Sequence, residues 1–313
     1  MAKPSLSTPR YMRWLPPKTT GTVTRLEFIA HGIVDGFISG KHRSPKKGSS
    51  VEFAEHRQYV PGDDLRNLDW RALARKDRYY IKQYVEETNL RATILLDASG
   101  SMAYRGDLAA EVDGRRLSKF EYAKYISAAL AYLLIGQQDA VGLVTFDKAV
   151  RTYLPAKAQA SQVRLVLEEI DRAEAAADTG CGPVFDDIAE RIPHRGVVFI
   201  VSDLFDDPEA IVRALHHFRY RRHEIIVLHV MAEEELTFPF NSFSQFRDLE
   251  GLADDLELDP KNFRASYLES VREYLRVIST GCGQMNVDYV PISTKTPFDK
   301  VLTDYLARRQ RGC

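Results

Sequence analysis

From residue 90 onward the chain alternates short apolar runs with segments of helical periodicity, and this limits the fold more than any other feature. Residues 90–96 form a β-rich run of the kind a strand buried on both faces requires. Ser118 opens a helix in which Phe120, Ala123, Ile126, Leu130, Leu133 and Leu134 recur at helical spacing. Residues 141–146 and 150–154 read as strands joined by Asp147-Lys148, which predicts a hairpin and an antiparallel edge. Helices are then predicted over 159–175, 184–192, 208–220 and 261–280, with strands at 197–201, 224–230 and 287–291 between them. A last amphipathic helix carries Phe298, Val301, Leu302, Tyr305 and Leu306. Such alternation predicts an α/β fold, a doubly wound and mostly parallel sheet with helices on both faces.

The remainder of the 313 residues divides into a proline-rich flexible lead-in over 1–20 and a smaller region over 21–89, ahead of the main domain at 90–313. The smaller region holds one apolar patch (Leu26, Phe28, Ile29, Ile33, Phe37, Ile38) and the basic run at 41–48, which lacks interleaved aromatics and reads as a solvated loop. Lys and Arg number 43 against 44 Asp and Glu, so no global field attracts nucleic acid or anionic lipid. Cys181, Cys282 and Cys313 are scattered without a C-x-x-C pair and read as free thiols in a reducing compartment. The longest apolar stretch, 125–136, ends in Gln137-Gln138-Asp139, and the start lacks the apolar core of a signal peptide. These features predict a cytoplasmic protein with no membrane insertion and no nucleic-acid partner.

Ligands of doubly wound sheets bind at the carboxyl ends of the strands. Here the first strand runs into Asp97-Ala98-Ser99-Gly100-Ser101, a later strand ends in Ser202-Asp203, and Asp178-Thr179-Gly180 stands just before a helix. Convergence of Asp97, Ser99, Ser101, Thr179 and Asp203 would gather hard oxygen donors suited to Mg²⁺, or to Mn²⁺ or Ca²⁺. An ion held by few carboxylates and several neutral hydroxyls stays electron-poor and would draw an Asp or Glu from a protein partner. Asp97 and Ser99 also have a purely local use, accepting backbone N–H groups of their own loop.

Asp97-x-Ser99-x-Ser101 with Thr179 and Asp203 resembles the metal-ion-dependent adhesion site of von Willebrand factor A domains. Upstream, Glu52-Phe53, Arg57, Tyr59, Pro61-Gly62-Asp63-Asp64, Arg66, Asp69-Trp70-Arg71, Ala74-Arg75 and Lys82 resemble the signature of the bacterial DUF58 family. Arg195-Gly196 and the run Ser202-Asp203-Leu204-Phe205-Asp206-Asp207 are similar to it as well. The resemblance spans about residues 25–310 and implies a von Willebrand A-like module with a smaller N-terminal β-containing region. It further implies a non-enzymatic adaptor working with a separate MoxR-type AAA+ ATPase in chaperone-like maturation of protein complexes. The glycine-rich segment after Thr179 departs from the pattern, with Pro183 near the start of a helix.

Within the signature block, Pro61-Gly62-Asp63-Asp64 reads as a turn capping a short helix over 65–75, with Arg57, Arg66, Arg71 and Arg75 available to pair with its aspartates and Trp70 as a packing anchor. The enzyme alternative is a Mg²⁺-dependent haloacid-dehalogenase-like phosphatase with Asp97 as nucleophile. That chemistry wants an acid two residues on, where Ser99 stands. No G-x-S-x-G elbow or P-loop is present, and His194, His216, His217, His223 and His229 show no metal spacing.

Overall fold

The computed structural model describes residues 10–15, 51–58, 79–86, 90–175, 181–241, 244–246, 256–258 and 260–311. The chain divides into two compact units, Met1–Val34 with Leu90–Cys313, and Asp35–Asn89. In the smaller unit, Val51–Gln58 pairs antiparallel with Tyr80–Glu86. The apolar patch at 26–38, the basic run at 41–48, the block from Tyr59 to Arg75 and its helix, and Thr179 lie outside the described residues.

The large unit is built on six strands: β1 (Arg91–Asp97), β2 (Ala140–Phe146), β3 (Val150–Lys157), β4 (Val197–Ser202), β5 (Glu224–Met231) and β6 (Asp288–Ser293). Their order is β3-β2-β1-β4-β5-β6. All neighbours pair in parallel except β2 with β3, the hairpin at the edge. The sequence reading of a mostly parallel α/β sheet with an antiparallel edge is thus correct. Pro155, which has no N–H to give a ladder, sits in that edge strand. Gly142 opens a bulge where β2 crosses β3: a Cβ there would stand 2.7 Å from the Leu154 carbonyl oxygen.

Among the described residues this unit has seven α-helices, all but the last lying between strands of the sheet: α1 (Lys119–Gly136), α2 (Ser161–Arg172), α3 (Cys181–Arg191), α4 (Pro208–Tyr220), α5 (Glu233–Thr237), α6 (Pro260–Gln284) and α7 (Phe298–Arg311). Pro183 falls in the first turn of α3, where its missing N–H costs no helical bond. One sheet face is covered by α3, α4 and α6 through Phe185, Ile188, Ile211, Leu215, Phe218 and Ile278. Against β1 packs α1, which is joined by α2 and by α7, whose Phe298 stacks on Tyr125 at 4.9 Å. Central strands β1 and β2 are buried on both faces, as their unbroken apolar runs require.

Within the expected lead-in, Arg10–Trp14 form a 3₁₀ turn rather than a loose tail. Trp14 is 3% exposed, its Nε1 donates to Asp171 at 3.1 Å, and its ring meets Tyr125 edge-on at 5.1 Å. Among the described residues no helix is long and apolar enough to cross a membrane.

Candidate functional site at the carboxyl edge of the sheet

The strand order reverses between β1 and β4, so the end of these two strands is the switch point at which this class of sheet builds its sites. Asp97 is the last residue of β1 and is fully buried. The Ser99 N–H donates to its Oδ1 at 2.8 Å, which folds the chain into a tight turn running into the 3₁₀ turn Gly100–Ala103. That turn brings Ser99 Oγ to 3.1 Å from Ser101 Oγ, both side chains buried. From β4, Ser202 Oγ donates to Asp97 Oδ2 at 2.5 Å and accepts the Leu204 N–H at 2.8 Å. Asp97, Ser99, Ser101 and Asp203 therefore share one end of two adjacent strands.

Asp203 is 5% exposed, and its Oδ1 accepts the Phe205 N–H at 3.2 Å. Its Oδ2 accepts from Lys119 Nζ at 2.7 Å, and the same ammonium donates to Glu235 Oε1 at 2.6 Å. The backbone here is held too. His229 Nε2 donates to the Asp203 carbonyl at 2.8 Å, which leaves Nδ1 to accept from the Tyr289 hydroxyl at 2.7 Å. Tyr274 donates to the Leu204 carbonyl, fixing a residue that adopts the left-handed φ of 50°. Lys119, Asp203 and Glu235 also line a cavity of about 380 Å³ whose apolar walls include Phe205, Met231 and Tyr267.

Electrostatics follow from this packing. Burial, and next the charge of Asp203, push the Asp97 carboxyl up to about 7 against the hydrogen bonds from Ser202 and Ser99. Burial would lower the Lys119 ammonium, but Asp203 and Glu235 overcome it and hold the group firmly charged. His229 is driven down to about 4 by burial, so it is neutral, with both ring nitrogens hydrogen-bonded in the core.

Two tests bear on whether a divalent ion suits these residues. Among the described residues no three His, Cys, Asp or Glu side chains are grouped to hold a metal, and the expected donors that are described comprise two carboxylates and two hydroxyls. The Ser99–Ser101 oxygen separation of 3.1 Å is close to the about 3.0 Å between neighbouring oxygens of an octahedral sphere of about 2.1 Å radius. Two adjoining buried carboxylates and paired hydroxyls fit a small hard cation. Lys119 is absent from the sequence expectation, and Ser202, placed there at the strand end, proves to bridge to Asp97. Lys119 stands at the first position of a helix, where the macrodipole disfavours a cation, but that alone does not distinguish it from a solvated lysine.

The chain is 25% identical to the uncharacterized protein Rv1480 of Mycobacterium tuberculosis over 303 residues, 95% of this chain and 91% of that one. BatB of Bacteroides thetaiotaomicron, a conserved hypothetical protein of solved structure, is 18% identical and superposes with a TM-score of 0.45 over 71% of this chain and 99% of that one. The SpRpn10 VWA domain superposes with a TM-score of 0.39 at 13% identity, covering 69% and 95% of the two chains. The model of the family described as "Protein of unknown function DUF58" matches residues 55–275, most of the chain, which therefore belongs to the DUF58 family.

Proposed function

We propose that this chain is a non-enzymatic protein-binding module of the von Willebrand A type whose binding depends on a divalent metal. One observation carries the reading: Asp97, Ser99, Ser101 and Asp203 meet at the switch point of the sheet, with the two hydroxyls 3.1 Å apart. These four residues would hold Mg²⁺, Mn²⁺ or Ca²⁺, which when bound supplies an open position for a carboxylate oxygen from outside. The Ser99 turn and Ser202 fix Asp97, while the Phe205 N–H and Lys119 fix Asp203, so the donors are set before any partner arrives. A partner's Asp or Glu completes the site. The adjoining apolar cavity receives the residues around it. The resemblance to DUF58 proteins supports a MoxR-type AAA+ ATPase as that partner and a chaperone-like role in assembling protein complexes. Ser99, standing two residues after Asp97 where a phosphatase of this type needs a general acid, weighs against the phosphatase reading.

Isothermal titration of the full chain with MgCl₂ and MnCl₂ tests the reading. Asp97→Ala and Asp203→Ala are expected to lose the binding heat of the wild type. Capture of a MoxR-type ATPase is expected in Mg²⁺ and not in EDTA. Equal heats in all three proteins, or a partner retained unchanged through EDTA, refute the metal dependence.

A further inference from the structure

We propose that Lys119 is an internal counter-cation of this site, which competes with a divalent metal for Asp203 and holds the metal affinity of the chain low. The inference rests on the metal-site reading above and assigns a residue which that reading leaves as a mere positioner.

Nothing local explains a lysine at this position. Lys119 is the first residue of α1, where a cation opposes the helix macrodipole, and its side chain is 2% exposed, where an ammonium is costly. What retains it is two acids brought from afar, Asp203 at 2.7 Å and Glu235 at 2.6 Å. In the folded chain its ammonium supplies the positive charge that buried carboxylates at the sheet edge require. With Oδ1 of Asp203 accepting the Phe205 N–H, both carboxylate oxygens have a partner before any ion enters. A divalent ion drawing on Asp203 therefore meets a fixed like charge on the same carboxylate.

Glu235 gives this arrangement its second resting place. Its Oε2 accepts the Ala232 N–H at 2.7 Å at the start of α5, so its position does not depend on Asp203. Lys119 keeps one carboxylate when Asp203 turns to a metal. The ammonium thus keeps a carboxylate partner both without the ion and with it. Because the ion alone binds weakly, the partner's carboxylate contributes a needed share, and metal and partner each raise the other's affinity by the same factor.

Titration of the full chain with MnCl₂, read by calorimetry and by the Mn²⁺-induced shift in melting temperature, decides the matter for the wild type, Lys119→Met, Lys119→Gln and Lys119→Arg. The expected result is Mn²⁺ binding roughly tenfold or more tighter in the Met and Gln variants, with Arg close to the wild type. Removing a residue that only shapes the site would weaken binding, the opposite direction. Met and Gln variants binding no tighter than a wild type that does bind overturn the competition and leave the metal site standing. Absence of heat and melting shift in every protein overturns the metal site and this inference with it. Should Lys119→Met not fold, Lys119→Gln decides; folding of either only when Mn²⁺ is present supports the inference, and failure of both with and without Mn²⁺ overturns it.

Discussion

Asp139 sits at the opposite end of the sheet from the site, and its replacement by Asn gives a quantitative test of how the first two strands are joined. The side chain is 3% exposed, Oδ1 accepts the Leu90 N–H at 3.0 Å where β1 begins, and the buried Oδ2 has no hydrogen-bond partner among the described residues. Burial pushes the carboxyl up to about 7, opposed by the Leu90 bond. Between about pH 4 and pH 7 the native state keeps this proton while the unfolded chain gives it up, so stability falls as pH rises through that window and levels off above it. A shift of about 3 units at ~1.4 kcal/mol each bounds the whole loss at about 4 kcal/mol, of which about 2–3 kcal/mol falls between pH 5 and pH 8. Asparagine keeps the Oδ1 acceptor and cannot ionise, while its buried NH₂ costs about 1–3 kcal/mol at every pH. Urea unfolding of both proteins from pH 5 to pH 8, in EDTA throughout, is expected to show Asp139→Asn gaining about 2–3 kcal/mol on the wild type across the range. Taking the difference between the two curves cancels the other titrating groups, Asp97 included. Parallel curves would refute the assignment of a buried, protonated carboxyl to this position.

Two further changes probe the frame. Gly142→Ala places a Cβ 2.7 Å from the Leu154 carbonyl oxygen and 2.8 Å from the Ala156 nitrogen; overpacking of this size is expected to cost about 1–3 kcal/mol, and an unchanged melting temperature would show that the edge hairpin yields freely. Trp14→Ala empties a site where the ring contacts Tyr125 and bonds to Asp171; a loss of about 3–5 kcal/mol is expected in urea unfolding, and a loss under about 1 kcal/mol would mean that residues 10–15 add nothing to the large unit.

The sheet was legible because its strands announce themselves: runs such as Val197–Ser202 have no polar face to mistake for a helix stripe. Asp97, Ser99, Ser101 and Asp203 were legible because strand ends are where such sheets bind ligands. Lys119 was not, since a lysine after a helix N-cap reads as solvated until its partners, 84 and 116 residues away, are brought to it. Trp14 was hidden in a proline-rich start, and its pocket is made by Tyr125 and Asp171, far along the chain. The small hairpin pairing Glu111–Val112 with Arg115–Arg116 was readable and overlooked: Asp113-Gly114 is a turn dipeptide, and both residues take positive φ, 51° and 75°.

The loop that follows β4 draws its shape from parts of the protein synthesised much later. Tyr274 grips the Leu204 carbonyl from 70 positions downstream, and Tyr289 orients the imidazole that holds the Asp203 carbonyl. A growing polypeptide can lay down its first five strands and still lack a finished rim. The rim is complete only when the carboxyl-terminal segment, with Tyr274 and Tyr289, is in place.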